Sequence, residues 1–205
     1  VYVVGSVGGS DAEGGNPLRG RFNPTQVERL LRPIKPGRVF QTDGHANLAA
    51  WDVVAHLTRM FGFGGWGKEI LSIDLVSEGR GEDLGYKGKP NWYVTYRCLM
   101  RLRVFDPDGR LAFQTDDGAT GSAQNQPQLG DAHDLAYKNA VSYALKRCAK
   151  DLGDQFGLSL YRNGSTDTTV GLTLVGAPDV PAGQEPEIVV SDESDLEDNG
   201  RDDGR

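Results

Sequence analysis

Residues 92–105 read WYVTYRCLMRLRVF. Val94, Tyr96, Cys98, Met100, Leu102 and Val104 fall on one side of an extended chain, and Tyr93, Thr95, Arg97, Leu99, Arg101 and Arg103 on the other. Alternation sustained over such a run predicts a strand with one face buried. Asp106-Pro107-Asp108-Gly109 follows as a turn, since Pro presets φ and Asp-Gly tolerates the reversal. Leu111 to Thr115 returns as a partner strand. Upstream, Glu69, Leu71, Ile73 and Leu75 alternate with Ile70, Ser72 and Asp74, so Trp66 to Val76 is expected as a third strand. Residues 77–91, and the Gly-, Gln- and Ser-rich stretch after 115, are expected as loops.

Helices flank these strands. From about 131 to 154, at about 100° per residue, Tyr137, Val141, Ala144, Leu145, Cys148 and Leu152 gather on one side. Lys138, Lys146, Arg147 and Lys150 gather on the other. Asn23-Pro24-Thr25 opens a short helix that ends before Pro33. Asp43-Gly44 precedes a second helix, about 45–61, with Leu48, Trp51, Val54, Ala55 and Leu57 available for burial. The expected fold class is α+β: preceding helices, then an antiparallel β-β-β-α core.

The 205 residues suit one domain with tails. With 38% hydrophobic and 25% charged residues, the chain is not wholly disordered. Residues 1–22 hold six glycines and are expected as a flexible arm, and 23–162 as the folded body. The remainder, 163–205, is expected as a disordered acidic tail, too poor in apolar residues to offset ordering entropy. From Ser165 to Arg205 there are eleven acids and two arginines, a balance of −9 against −7 for the whole chain. The body is therefore mildly basic, at +2, and the net charge does not exclude a nucleic-acid partner. Such a tail could compete for a basic groove, bind a basic partner or simply aid solubility; unchanged DNA affinity at low salt after removal of 165–205 would refute the first role. No apolar run is long enough for a membrane helix, and the first residues lack the basic start of a signal peptide. With only Cys98 and Cys148, no disulfide framework is expected, and a cytoplasmic location is.

Several catalytic patterns fail. Gly62-Phe63-Gly64-Gly65-Trp66-Gly67-Lys68 matches G-x-x-x-x-G-K, but Glu69 stands where magnesium would need Ser or Thr. The segment also leaves a helix and opens a strand, so no helix N-terminus faces a phosphate. His45 and His56 lie roughly three helical turns apart, too far to share a zinc ion. No G-x-S-x-G or convincing Ser/His/Asp set is present. No cofactor and no metal are expected, and no enzyme, although Asp116-Asp117 leaves a magnesium-dependent nuclease as an alternative. The basic residues survive this screen. Arg97, Arg101 and Arg103 share a strand face, while Lys138, Lys146, Arg147 and Lys150 share a helix face. Either set alone is an ordinary solvated surface. Together they suggest a groove that follows a phosphate backbone, with aromatics such as Tyr93 to stack bases. The competing reading is a self-assembling interaction module whose charges form salt bridges between subunits. Nothing in the pattern separates DNA from RNA.

A family resemblance rests on particular segments. Phe61-Gly62-Phe63-Gly64-Gly65-Trp66 before a strand resembles the helix-to-strand junction of the Rad52/Rad22 single-strand annealing proteins. Gly44-His45 before the preceding helix, Tyr93-Val94, Arg101 and Asp108-Gly109 also fit. The strongest likeness runs from Ala136 to Tyr161, through Ala140-Val141, Leu145-Lys146-Arg147-Cys148-Ala149-Lys150, Leu152-Gly153 and Phe156-Gly157. The resemblance covers about residues 28–162 and implies subunits arranged side by side in a ring, holding single-stranded DNA in a basic groove. It implies ATP-independent annealing of complementary strands in homologous recombination and double-strand-break repair. A single-strand-binding protein or a nuclease would be a natural partner. A compact chain of this kind resembles a bacterial or bacteriophage form, acting in the cytoplasm of a bacterium or infected host. By position, Lys146 and Arg147 match a lysine-arginine pair that contacts the DNA backbone, and Lys150 stands where the family tends to have arginine. Arg32 matches a family arginine before the second helix. The family's lysines before the last helix are missing from Ser122 to Gly130, so either the groove is less basic or other cations such as Arg97 or Arg103 substitute. The acidic tail does not match the partner-binding half of the eukaryotic proteins.

Overall fold

Cys98, Met100, Leu102 and Val104, the inward set of the alternating run, have no exposed surface. They lie on β4 (Pro90–Phe105), the middle strand of an antiparallel sheet ordered β3-β4-β5, with β3 at Trp66–Leu84 and β5 at Leu111–Gln126. The computed structural model describes residues 21–42, 44–84 and 90–173. The arm through residue 20 and the tail beyond 173 lie outside the described residues. The fold is α+β, with the three-stranded sheet followed by the long helix α3 (Leu129–Lys150).

Both outer strands are longer than their composition suggests. Residues 77–84, expected as loop, continue β3, and 116–126 continue β5. In β3 the pairing shifts between Ile70 and Ser72 and again between Leu75 and Ser77. Such bulges break strict alternation, which leaves Ile70 and Leu75 exposed and hides the strand's period. In β5 the glycines are a packing requirement. A Cβ at Gly121 would stand 2.0 Å from the Ala140 amide nitrogen of α3. A residue type read as a loop signal is here the one that lets a helix lie on the strand.

The covering helix meets the sheet through small side chains. Ala132, Ala136, Ala140, Ala144 and Cys148 are all fully buried and recur every four residues, so they form one stripe. Leu145 and Ala149 widen it. The helix runs Leu129–Lys150 rather than 131–154; a short 3₁₀ turn, Asp154–Phe156, follows. Tyr137, expected in the packed face, is 41% exposed.

The N-terminal third also departs from expectation. Residues 45–48 are not helical. They form β2 (His45–Leu48), paired with β1 (Val39–Thr42) in a separate two-stranded sheet. Thr42 pairs with His45, so the connection is two residues long, and Gly44 there has φ +78°. Asp-Gly between short strands is a hairpin signal as well as a helix-entry signal, and here the hairpin wins. The helices on either side are α1 (Pro24–Leu30) and α2 (Ala50–Phe61). Asn23 caps α1 in a reciprocal box, its Oδ1 accepting from the Gln26 amide at 2.9 Å and its own amide donating to Gln26 Oε1 at 3.0 Å. The Gly62–Gly65 connector joins α2 to β3, with Gly62 and Gly64 at positive φ.

A polar clasp joins this third to the end of the domain. The Arg38 guanidinium donates to Asp52 Oδ2 from Nε (3.0 Å) and Nη2 (2.7 Å), and from Nη1 to the Gln155 carbonyl (2.9 Å). The Gln155 Nε2 donates to the carbonyls of Arg32 and Pro33 at 2.8 and 2.7 Å. The Asp52 side chain is 7% exposed, so its charge depends on the Arg38 fork for compensation. Further on, buried Asp154 accepts from the Thr169 and Val170 amides at 2.6 and 3.2 Å, holding the chain well past residue 162.

Candidate nucleic-acid interface

The hairpin, the C-terminal half of α3 and the segment around 156–164 enclose a cleft of about 830 Å³. On α3, Arg147 and Tyr143 lie about a quarter-turn from the buried alanine stripe and Lys146 and Lys150 about half a turn from it, so this side of the helix is free to face the cleft. Lys146, Arg147 and Lys150 all line this cleft, beside Tyr143 of the same helix, Tyr161 of the 156–164 segment and Asn47 of β2.

The three cations are held differently. Lys146 Nζ donates to Asn47 Oδ1 at 2.9 Å and stands 4.8 Å from the centre of the Tyr143 ring. No carboxylate lies within ion-pair distance of it among the described residues. Burial lowers its pKa from the ordinary lysine value. Arg147 Nε donates to Asp117 Oδ1 at 3.0 Å. Lys150 Nζ lies 3.5 Å from Asp117 Oδ2 and 3.0 Å from Asp151 Oδ1, and 6.0 Å from the centre of the Tyr161 ring. Burial alone would raise the Asp117 pKa. The Arg147 hydrogen bond, the Gly118 amide and the charges of Arg147 and Lys150 outweigh that and hold the carboxyl below its usual range. On Lys150, burial pulls downward, but the bonds and charges of Asp151 and Asp117 prevail and raise its pKa.

The strand arginines lie elsewhere. Cys98, Met100 and Leu102 are buried beneath α3, so Arg97, Arg101 and Arg103 project from the opposite, open face of the sheet. Each meets an acid there. Arg97 pairs with Asp74 at 3.1 Å, Arg101 grips Asp116 through two bonds of 2.7 and 2.6 Å, and Arg103 reaches Glu69 at 3.1 Å and Gln114 at 2.9 Å. The Arg101 hydrogen bond lowers the Asp116 pKa. Tyr93 is on this open side, its hydroxyl donating to Asn125 Oδ1 at 2.6 Å. Lys138 pairs with Asp134 one helical turn away, and Arg32 with Glu28 at the end of α1; neither lines the cleft. The structure thus brings together Lys146, Arg147 and Lys150, and leaves Arg97, Arg101, Arg103, Tyr93, Lys138 and Arg32 outside.

Asp116 and Asp117 point to opposite faces of β5, one to Arg101 and one to Arg147 and Lys150. They do not converge on one cation, as a magnesium-dependent nuclease would require. Sequence reasoning missed Tyr143, Tyr161 and Asn47, and offered Asp117 as a metal ligand where the structure gives it to Arg147 and Lys150. Tyr143 stands three residues before Lys146, a spacing that places neighbours on one helix face, and this signal was available. Asn47 reaches the cleft, and Asp117 the cations that line it, only through tertiary packing.

The described residues therefore define an α+β domain whose long helix presents three cations and the Tyr143 ring to a cleft. The chain belongs to the Rad52/22 family of double-strand break repair proteins, whose pattern matches residues 24–172. It is 29% identical over 140 residues to the DNA repair and recombination protein RAD52 of Eremothecium gossypii, covering 65% of this chain and 29% of that protein. To RAD52 of Saccharomyces cerevisiae it is 29% identical over 141 residues, covering 67% and 27%. To the DNA repair and recombination protein rad22 of Schizosaccharomyces pombe it is 26% identical over 137 residues, covering 64% and 27%. The chain spans less than a third of the length of these relatives.

Proposed function

We propose that this chain binds single-stranded DNA in the cleft and anneals complementary strands without nucleotide hydrolysis, in recombination and double-strand-break repair. One observation carries the reading: Lys146, Arg147 and Lys150 enter a single aromatic-lined cleft, and Lys146 does so without a carboxylate partner among the described residues. The family match, and relatives named for DNA repair and recombination, support it.

Annealing of this kind is a binding problem. The three cations would neutralise phosphates and release counterions, so affinity falls with salt. Tyr143 and Tyr161, 42% and 66% exposed, offer ring faces to bases of any sequence. Contacts to backbone and ring faces carry little sequence preference. We extend the proposal to a ring of side-by-side copies. Each copy would bind weakly, and many linked clefts would hold a strand firmly while leaving it exchangeable.

The test is annealing of two complementary oligonucleotides without nucleotide, comparing wild type with Lys146→Ala/Arg147→Ala across a salt series. Fold and oligomer size are measured alongside, since Lys146 also bonds the hairpin. Acceleration by wild type but not by the folded variant is the expected result. Assembly without salt-sensitive DNA binding would select a purely structural module instead.

A further inference from the structure

We propose that Asp117 is a resident competitor of the DNA phosphates for Arg147 and Lys150, keeping the cleft's hold on a strand weak and exchangeable. This rests on the DNA-binding reading above and assigns to it a regulating residue. Asp117 reaches up from β5 beneath α3, its side chain 20% exposed. One oxygen takes Arg147 Nε at 3.0 Å and the other faces Lys150 Nζ at 3.5 Å. With Asp151 on Lys150 as well, two cations face two carboxylates. Among the described residues this end of the cleft is therefore near neutral before any strand arrives, and Lys146 supplies the uncompensated charge.

The geometry differs from that of a buried structural pair. Arg147 is bound through Nε, which leaves its two terminal nitrogens to meet a phosphate, and its side chain is 46% exposed. A phosphate approaching from the cleft can thus share the guanidinium and then draw it and Lys150 away from Asp117. When the phosphate leaves, the carboxylate reclaims both. A strand held this way releases without the two bare cations having to wait for counterions from solution. The same carboxylate accepts from the Gly118 amide at 2.7 Å, which fixes it in place as the cations move.

Asp117→Asn keeps the shape and an acceptor for Gly118 while removing the charge. Asp117→Ser, with a hydroxyl acceptor, is the second variant should the first fail to fold. Binding of a fluorescent thymidine oligonucleotide to the full chain is measured across a salt series, with dissociation by stopped flow. The expected result is about fivefold tighter binding at low salt, through slower dissociation, and a salt slope steeper by about one. The gain should vanish in an Arg147→Gln/Lys150→Gln background. A lost brace would not tighten binding, so unchanged or weaker affinity in the folded variants, with wild type binding normally, overturns the competitor role alone. Absence of binding by wild type and variants alike overturns the DNA reading, and the competitor role with it.

Discussion

The two faces of the sheet carry similar cations to opposite effect. On the open face Arg97, Arg101 and Arg103 each have an acid of their own from a neighbouring strand. On the covered side three cations of α3 line one cleft, with Asp117 shared between two of them and Lys146 without a carboxylate among the described residues. The open face is a ladder of cross-strand pairs, a common way to stabilise a solvated sheet. The cleft concentrates charge where two walls and two tyrosines limit solvent. Pairing and enclosure, not the count of basic residues, thus separate the proposed binding surface from an ordinary solvated one.

The sharpest break in this comparison concerns packing. Gly121→Val on the covered side would drive a side chain into the α3 backbone, and should cost about 3 kcal/mol or more in urea unfolding, or prevent folding. Ser122→Val, one residue along on the open side, should stay within about 0.5 kcal/mol. Next comes binding. Lys146→Ala/Arg147→Ala should weaken single-stranded DNA affinity about tenfold or more at low salt, measured by fluorescence anisotropy. A smaller effect is set by pH. Burial lowers the Lys146 pKa, so this lysine loses its proton earlier than an exposed one as pH rises. Phosphate needs the charged form, so affinity should decline with rising alkalinity in wild type and hold in Lys146→Arg. Smallest of all, Arg97→Gln/Arg101→Gln/Arg103→Gln should change DNA affinity by less than about twofold, because those charges are already paired. A large loss from that triple variant would overturn the distinction between the faces.

Much of this was legible in the sequence, and the remainder has identifiable physical causes. The β4 alternation and the cationic side of α3 follow from local periodicity alone. Strands β3 and β5 read too short because bulges interrupt the period of one, and Gly118, Gly121 and polar outward residues disguise the other. Asp43-Gly44 suits both a helix entry and a hairpin, and only the pairing of Val39 with Leu48 decides between them. In the site, Lys146, Arg147 and Lys150 share a helix face that the sequence displays. Their partners Asn47 and Asp117 come from strands 99 and 30 residues distant, which no local pattern reveals. The strand arginines misled because the alternation places them on the solvated face but does not reveal the acids of β3 and β5 that pair with them there.

The Arg38–Asp52–Gln155 clasp has a consequence for the order in which the domain matures. Its bond from Arg38 to the Gln155 carbonyl spans 117 residues, whereas β3, β4, β5 and α3 succeed one another along the chain. A two-stranded hairpin is marginal by itself in water. During synthesis the hairpin therefore emerges early but waits for Gln155 before it can be fastened, while the sheet and helix can assemble in the interval. Since that hairpin is one wall of the cleft, an unfinished chain on the ribosome has no complete cleft until residues 155–164 have been made.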